Sequence, residues 1–443
     1  MKRTTYLLLL IALLSACGNR PQQAAEQTVS DDPTILFELE HALTEAIIQD
    51  AFSPPVASRV YVYSNLAAQQ VMAHYTEGAV FYTDRLRDFG PVPTLDVSGT
   101  ERDLVMITAF STVAKELVYR DHVLDSAVVR IRETMGDISE DVATASLAIA
   151  DSISAHIIRR ASMDGYRETR GMPRYSPLEG DDKWEPTPPG YTDALEPHWQ
   201  RILPFTLDSA AQYFIPYRFE YSTDTESEFY QVITKEVYDS VKANNEEYTM
   251  IAKFWDCNPF LTKQVGHLMY HIRQLTPGGH WIGITETVGR DSELGLTESA
   301  ELMARVSVAM ADGFISAWHS KYVTDFIRPE TYINRYMDAE WRPVLESPHF
   351  PEYTSAHSTV SAAAAYVLTD HFGQDHAFMD STEVPFGLPP REFNSFFEAS
   401  DEASLSRILG GIHFRPAIEV GMEQGRLVGA HVLGRMQGGE EAH

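Results

Sequence analysis

The chain has 443 residues, which exceeds the usual size of a single domain and allows either one large body or two packed lobes. Hydrophobic residues make up 44% of it, enough for an extensive core. The net charge of −28 argues against nucleic-acid binding, because a phosphate backbone would be repelled and no basic run offsets the repulsion.

The N-terminus has the features of an export signal. Lys2 and Arg3 precede a short apolar run at 6–14, which leads into the sequence LSAC ending at Cys17. This resembles a bacterial lipoprotein signal, in which small residues fit the peptidase and the cysteine thiol accepts a lipid. The resemblance implies an exported protein, anchored through Cys17 to a bacterial envelope membrane, with the outer membrane or the cell surface favoured. A plain signal peptide with an incidental cysteine is the alternative.

The first 33 residues are therefore divided into a signal peptide at 1–17 and a flexible tether at 18–33, rich in Gln, Ala, Ser and Asp. The lipid would be the chain's only membrane attachment. Acylation of Cys17 would leave Cys257 without an intramolecular disulfide partner, so the fold must be stabilised by packing.

Apolar residues follow helical spacing through most of the remaining chain, whereas strand-like alternation is scarce. The first pattern begins near Thr34, and a second follows Pro54 and Pro55. Longer helical patterns cover residues 101–119, 138–161, 225–256, 297–324, 356–373 and 402–436. The sequence predicts an all-α fold of helical bundles, with an N-terminal helical region at 34–162 and a C-terminal helical domain at 217–443.

The segment at 163–216 interrupts this pattern. It is rich in Pro, Gly, Tyr and Trp and has no periodicity. A connection of this length inside a compact domain is usually either disordered or functional. Its aromatic residues favour ordered packing, with a rim to the active site as one role.

Two cations extend the apolar stripe of the helix that starts near Thr297. Lys321 and then Arg328 stand where further apolar residues are expected, and Pro329 is expected to end the helix directly after Arg328. A buried cation requires an anion or a carboxylate partner. Interior salt bridges, for instance with Asp312 or Asp325, are as good an interpretation as a bound anion when this segment is considered alone.

The sequence FPEYTSAHSTV places Ser355 and His357 at the start of a helix. Free N–H groups and the helix dipole make such an N-terminus an anion-binding position. A capping serine beside a merely packed histidine is the alternative for this segment alone.

The third segment, SRILGGIHFRPAIEVG, contains Arg407 and His413. Six residues is a poor same-face spacing, so Gly410 and Gly411 are expected to break the helix between them. His413 would then open the last helix, on a stripe of small residues at Ala417 and every fourth position after it. That stripe favours close packing against another helix.

Taken together, three cations, two histidines and a helix N-terminus suit a tetrahedral oxyanion. The motifs K-x6-RP, SAH and SR-x5-H, in this order, make the chain similar to the superfamily of type-2 phosphatidic acid phosphatases and vanadium-dependent haloperoxidases. The segments WEPTPPGYTDALEPHW and TPGGHW further resemble the bacterial, secreted, haloperoxidase-like branch. The resemblance implies helical bundles with the active site in the C-terminal one.

The resemblance also implies a role for each residue of the motifs. The oxyanion would be bound by five groups: Lys321, Arg328, Ser355, the N–H of Ala356, and Arg407. His413 would ligate vanadium, as vanadate, in a haloperoxidase, or attack phosphorus in a phosphatase. His357 would be the acid–base partner in either case.

Two positions depart from the family pattern. Ala356 stands where glycine is usual, which keeps the N–H donor but reduces backbone freedom. Phosphatases of the group usually carry an aspartate where this chain has Ala417, so another group must orient His413, and Glu419 is expected to point elsewhere. This loss weakens the phosphatase interpretation more than the haloperoxidase one.

Three functions follow from these residues. The first is a vanadate-dependent haloperoxidase acting on hydrogen peroxide and a halide. The second is a phosphomonoesterase with a phosphohistidine intermediate and no cofactor, and the third is a non-catalytic, anion-binding surface lipoprotein. Halide preference, organic substrate and oligomeric state are left open.

Other histidines carry weaker hypotheses. His267 and His271 stand four residues apart on an apparent helix and are candidate metal ligands, but no third ligand accompanies them. His280 is a candidate pocket residue, and His319 and His349 are candidates for supporting the motif residues. A packed or surface histidine is the preferred interpretation for all of these.

Overall fold

The computed structural model describes residues 31–259, 261–265 and 268–438, with the backbone alone at 261–265 and 268–272. The predicted signal peptide, lipidation site and most of the tether, 1–30, lie outside the described residues. From Asp32 onward the chain forms one compact unit. The predicted division at 162 and 216 stays a prediction.

Helices dominate the described chain, as the sequence predicted. In chain order the helices are α1 Thr34–Asp50, α2 Pro54–Tyr75, α3 Arg102–Leu117, α4 Asp121–Thr134, α5 Glu140–Ala161, α6 Tyr166–Arg170, α7 Lys235–Lys242, α8 Glu246–Phe254, α9 Pro277–Asp291, α10 Leu296–Thr324, α11 Pro329–Tyr336, α12 Ala356–Phe372, α13 Phe396–Leu409 and α14 Arg415–Gln437. Two antiparallel ribbons interrupt them, formed by the strands β1 Leu261–Val265 with β2 Leu268–Ile272, and β3 Phe378–Asp380 with β4 Arg391–Phe393.

Two of the predicted helical patterns are divided in the structure, one of them as expected, and some helices were not predicted. The pattern at 225–256 is divided into a π-helical turn, α7 and α8, because Asn245 caps a new helix by accepting the N–H groups of Glu247 and Tyr248. The pattern at 402–436 is divided between α13 and α14 at Gly410 and Gly411, as the two glycines predicted. Helices α4, α6, α9 and α11 were not predicted.

Helix α10 is the central element, with nearly every side chain buried. It packs against α2, α12 and α14. A helix that is apolar around its whole circumference belongs in a core. It ends at Thr324, where Asp325 adopts a left-handed conformation and donates its N–H to the carbonyl of Lys321.

The glycine stripe of α14 allows close approach to α12. A Cβ at Gly425 would lie 2.1 Å from the carbonyl oxygen of Thr359, and one at Gly421 would lie 2.8 Å from that of Ser355. The backbone N–H of Ser355 also donates to the carbonyl of Ala417 at 3.0 Å. The start of α12 is therefore fixed against the start of α14.

The segment at 163–216 is ordered and largely irregular, with Trp184 and Trp199 fully buried. The carbonyl of Leu195 accepts the Tyr322 hydroxyl at 2.6 Å, which ties the segment to α10. One described helix, α5, is long and apolar enough to cross a membrane by length and composition alone, a test that core helices of soluble proteins also pass.

Candidate active site

The three predicted segments meet around one cavity of about 60 Å³. Its walls include Ala356 and His357 from the start of α12, Arg407 from the end of α13, and His413 from the connection to α14. Leu195, from the aromatic connection, also lines it. Lys321, Arg328 and Ser355 are buried next to these residues: Arg328 contacts His413, Lys321 contacts Thr354, and Ser355 directly precedes Ala356. The structure therefore brings all seven predicted positions together.

Lys321 lies in the last turn of α10 and points toward the chain that precedes α12. Its Nζ donates to the carbonyls of Pro351, Glu352 and Thr354 at 3.0, 3.1 and 2.6 Å. These contacts fold the 351–354 segment over the ammonium group and set the position from which α12 begins.

Arg328 does not continue α10, contrary to the sequence prediction. Pro329 begins α11 instead of ending α10, because a proline at the first helical position lacks only an N–H that would be unpaired in any case. The Arg328 guanidinium donates to the carbonyls of Phe350 and Ile412, and its Nη1 lies 3.0 Å from Nε2 of His413.

The alternative of interior salt bridges with Asp312 or Asp325 is wrong. Asp312 accepts the N–H groups of Phe205 and Thr206 at 2.8 and 2.7 Å, and Asp325 accepts the Tyr175 hydroxyl. The two buried cations are thus directed toward backbone carbonyls and His413, at the cavity.

Helix α12 has a conventional capped N-terminus. The Ser355 oxygen accepts the N–H of Ser358 at 3.2 Å and its hydroxyl at 2.9 Å, which leaves the proton of Ser355 for another acceptor. Ala356 is the first residue of the helix, so its N–H has no partner four residues earlier. His357 is buried, and its Nε2 has no hydrogen-bond partner among the described residues.

Arg407 and His413 are separated by the predicted glycine break. Gly411 has a φ of +80°, which allows the chain to reverse after α13. His413 lies two residues before α14, so it does not open that helix as expected. The Arg407 Nε donates to the Ser406 hydroxyl at 2.8 Å, and its Nη2 donates to the carbonyl of Trp255.

The orienting partner of His413 is Glu352, which sequence reasoning missed. Its Oε1 lies 2.9 Å from Nδ1 of His413 and also accepts the N–H of Phe414 at 2.9 Å. The carboxylate fixes the Nδ1–H tautomer, so the lone pair of Nε2 faces Arg328 and the cavity. Glu352 therefore fills the role that Ala417 cannot, and its only sequence signal is its place in PEYTSAH, three residues before Ser355.

Burial and the neighbouring positive charges keep His413 and His357 neutral. The pKa of His413 is lowered well below its usual value by burial and then by Arg328, Lys321 and Arg407. Burial, Arg407 and His280 likewise lower the pKa of His357. Burial raises the pKa of Glu352 to about 7, a shift that Arg328 partly offsets. An anion in the cavity would relieve the repulsion among the cations.

Comparison with known proteins places this geometry in a family. The family model described as "VCPO second helical-bundle domain" matches residues 336–439, which include α12, α13 and α14. The solved structure of a bacterial vanadium-dependent iodoperoxidase is 39% identical and superposes with a TM-score of 0.86, over 93% of this chain and 98% of that one. The chain belongs to the vanadium-dependent haloperoxidase family.

More distant haloperoxidase structures share the fold. The holo form of a bacterial vanadium-dependent chloroperoxidase is 18% identical, with a TM-score of 0.71 over 93% of this chain and 99% of that one. The apo-type structure gives 17% identity and a TM-score of 0.66 over 87% and 94%. No curated protein matches the chain.

The other histidines named as candidates in this haloperoxidase-family chain lie in four different places. His349 lines the cavity, whereas His319 lies 2.9 Å from Oε1 of Gln200. His271 lies in strand β2 and not on a helix, so the reason for pairing it with His267 is wrong, and His267 lies outside the described residues. His280 is buried behind the cavity wall, against Trp255 and Cys257.

Proposed function

We propose that this protein is a vanadium-dependent haloperoxidase, which converts hydrogen peroxide, a halide ion and a proton into hypohalous acid and water. The observation that carries the proposal is His413. Its Nδ1 is fixed by Glu352, and its Nε2 lone pair lies among buried cations at the wall of a small cavity. The likeness to a bacterial iodoperoxidase over nearly the whole chain supports it.

The described residues fit vanadate. The Nε2 lone pair of His413 accepts Nη1 of Arg328 in the free protein and would bind the metal once Arg328 donates to the oxyanion instead. The N–H of Ala356 and the proton of Ser355 are available to oxygen atoms, and the unpartnered Nε2 of His357 lies at the same cavity. Lys321, Arg328 and Arg407 would neutralise the oxyanion. When bound, vanadate supplies the Lewis-acidic centre that activates peroxide for oxygen transfer to the halide.

The protein's own residues would hold charge and move protons. Arg328 and Lys321 are fixed by backbone carbonyls, so their charges are held in place before any ligand arrives. His357 would accept a proton at Nε2 from incoming peroxide and return it to the departing oxygen. Because its pKa is lowered in the absence of an anion, the His357 ring is neutral and would accept a proton before it donates one.

The test is halide oxidation by the purified protein after incubation with vanadate, measured with iodide and with bromide. We expect vanadate-dependent oxidation in the wild-type protein and none in His413→Ala. His371→Gln is the matched control. The Nε2 of His371 lies 3.4 Å from Oε1 of Glu298, and the residue does not line the cavity, so its replacement should leave turnover unchanged. A wild-type protein that binds vanadate without oxidising either halide would overturn the proposal and support a non-catalytic anion-binding protein.

A phosphomonoesterase activity is the second candidate, and Glu352 is the observation that favours it. A nucleophilic histidine needs a partner that fixes its tautomer, and Glu352 provides one despite Ala417. Hydrolysis of a generic phosphate ester, assayed without vanadate, tests this candidate. An acid-labile phosphoryl group on the wild-type protein, absent from His413→Ala, would establish a phosphohistidine intermediate. An acid-stable phosphoryl group is not expected.

We also propose that the protein is exported and lipid-anchored through Cys17. The charged start, short apolar run and LSAC sequence support this. Metabolic labelling with a fatty acid should mark the full-length protein, and Cys17→Ser should abolish the label and release the protein from the membrane fraction. Equal labelling of both forms would contradict the proposal.

A further inference from the structure

A second cluster of potential ligands lies next to the cavity. The Sγ of Cys257 lies 3.4 Å from Nδ1 of His280, and that nitrogen lies 3.4 Å from Oε1 of Glu383. The Cys257 sulfur and the Glu383 oxygen are 4.0 Å apart. All three residues are buried, so a thiol, an imidazole nitrogen and a carboxylate oxygen face one another away from bulk water.

The imidazole of His280 is held in one orientation by its other contacts. Trp255 stacks on the ring, with centroids 4.5 Å apart and planes 17° from parallel. The Nε2 lies 2.7 Å from Oδ2 of Asp380, and Asp380 in turn accepts the N–H and hydroxyl of Thr382. A carboxylate on the far nitrogen of a histidine is the usual arrangement behind a metal ligand, because it fixes the tautomer that leaves the near nitrogen free to bind.

The spacing of the three ligand atoms suits a tetrahedral ion. With zinc–nitrogen and zinc–oxygen bonds of about 2.1 Å and a zinc–sulfur bond of about 2.3 Å, tetrahedral ligand atoms lie roughly 3.4 to 3.6 Å apart. Two of the three observed separations agree with this, and closing the third requires a movement of only a few tenths of an ångström. A mixed set of sulfur, nitrogen and oxygen ligands is typical of zinc.

We propose that Cys257, His280 and Glu383 bind a zinc ion, with Asp380 as the partner that orients His280. Three protein ligands leave a fourth position for water or a small anion. Cys257 also lines the oxyanion cavity, and the carbonyl of Trp255 accepts Nη2 of Arg407. The metal would therefore stiffen the wall that holds Arg407. The site does not depend on haloperoxidase activity.

The test uses the full-length protein, purified without chelator or polyhistidine tag, and measures bound metal directly. Elemental analysis should find about one zinc per chain. Replacement by cobalt should give a sulfur-to-cobalt charge-transfer band in the near ultraviolet, which only a thiolate ligand produces. Cys257→Ala should lose the zinc and the band, and Asp380→Asn should weaken zinc affinity by about 10- to 100-fold.

The double variant His267→Ala/His271→Ala is the matched control, since it removes the other histidine pair that the sequence offers to a metal. It should keep both the zinc and the band. The proposal is overturned if wild-type protein incubated with excess zinc holds none after dialysis, or if the double variant loses the metal while Cys257→Ala keeps it. The wild-type cobalt spectrum decides the matter even if a variant fails to fold.

Discussion

At the scale of single residues, the contact between Glu352 and His413 has a measurable consequence. Glu352→Gln keeps the shape of the side chain but removes the negative charge that holds the Nδ1–H of His413. Loss of such an orienting partner typically costs about 10- to 100-fold in metal affinity or activity. We therefore expect vanadate affinity, measured by titration of the restored activity, to fall by that factor.

Glu330→Gln is the control for this prediction. Glu330 is also a buried carboxylate, but it accepts the Ser347 hydroxyl at 2.7 Å and does not line the cavity. Its replacement should leave vanadate affinity unchanged. Equal affinities in Glu352→Gln and wild-type protein would show that Glu352 does not orient His413.

His357 should gain a proton when an anion binds. Burial and the nearby Arg407 lower its pKa, so the ring is neutral near pH 7 in the free protein. A bound anion offsets the positive charge of Arg407 and favours the imidazolium, so the pKa should rise on addition of phosphate or vanadate. Titration of the histidine resonances by NMR, with His357→Gln identifying the signal, measures the shift. A signal that titrates at the same pH with and without the anion would contradict this prediction.

The seven predicted site positions could be chosen from sequence because each stands in a short motif whose residue types are unusual for a buried helix end. Glu352 could not be chosen in the same way. Its contact with His413 joins residues 61 positions apart, and no local pattern distinguishes it from an ordinary surface glutamate. The roles assigned to these residues stay a prediction until the variants are measured.

At the scale of elements, the packing of α14 on α12 controls the position of the site. A methyl group at Gly425 would collide with the backbone of Thr359 at 2.1 Å, so Gly425→Ala must push α12 away. Overpacking of this kind usually costs about 1 to 3 kcal/mol. Because α12 carries Ser355 and His357 at its start, we also expect weaker vanadate binding. Chemical denaturation and vanadate titration measure the two effects.

Gly434→Ala on the same helix is the control. A Cβ there would meet nothing within 4 Å, and alanine is the better helix former by about 1 kcal/mol. This variant should be as stable as the wild-type protein or more so, with unchanged vanadate binding. If both substitutions had the same effect, helix propensity and not interhelical contact would be the cause.

Helix positions were predicted well where apolar periodicity continued to a clear break, as at α5 and α12. They were predicted poorly where tertiary contacts decide the boundary. Helix α10 ends at Thr324, four residues before Arg328, because Asp325 closes the helix and its side chain accepts the Tyr175 hydroxyl from a distant segment. The ribbon that contains His271 was likewise concealed by an apparently helical spacing.

At the scale of the whole molecule, the negative charge and the buried carboxyl groups should both make stability depend on pH. Burial raises the pKa of Glu40 to about 8 and that of Asp256 to about 6, beside the value of about 7 for Glu352. The folded protein thus keeps protons that the unfolded chain releases near pH 4 to 5. The contribution of these three carboxyl groups to the free energy of unfolding should therefore fall as the pH rises from about 5 to about 8.

Self-repulsion of a chain with a net charge of −28 would produce a fall of the same sign, so the two causes must be separated. Salt screens repulsion between surface charges but hardly affects a buried carboxyl group. Glu40 lies in α1 with no exposed surface, and Glu40→Gln keeps its volume while removing its titration. At high salt, the free energy of unfolding should fall between pH 5 and pH 8 in both proteins, but by at least about 1 kcal/mol less in Glu40→Gln than in the wild-type protein. Chemical denaturation at each pH measures this difference. Glu45→Gln, at an exposed position of the same helix, should keep the wild-type dependence of the free energy of unfolding on pH. If high salt abolished that dependence in all three proteins, surface repulsion would be its cause.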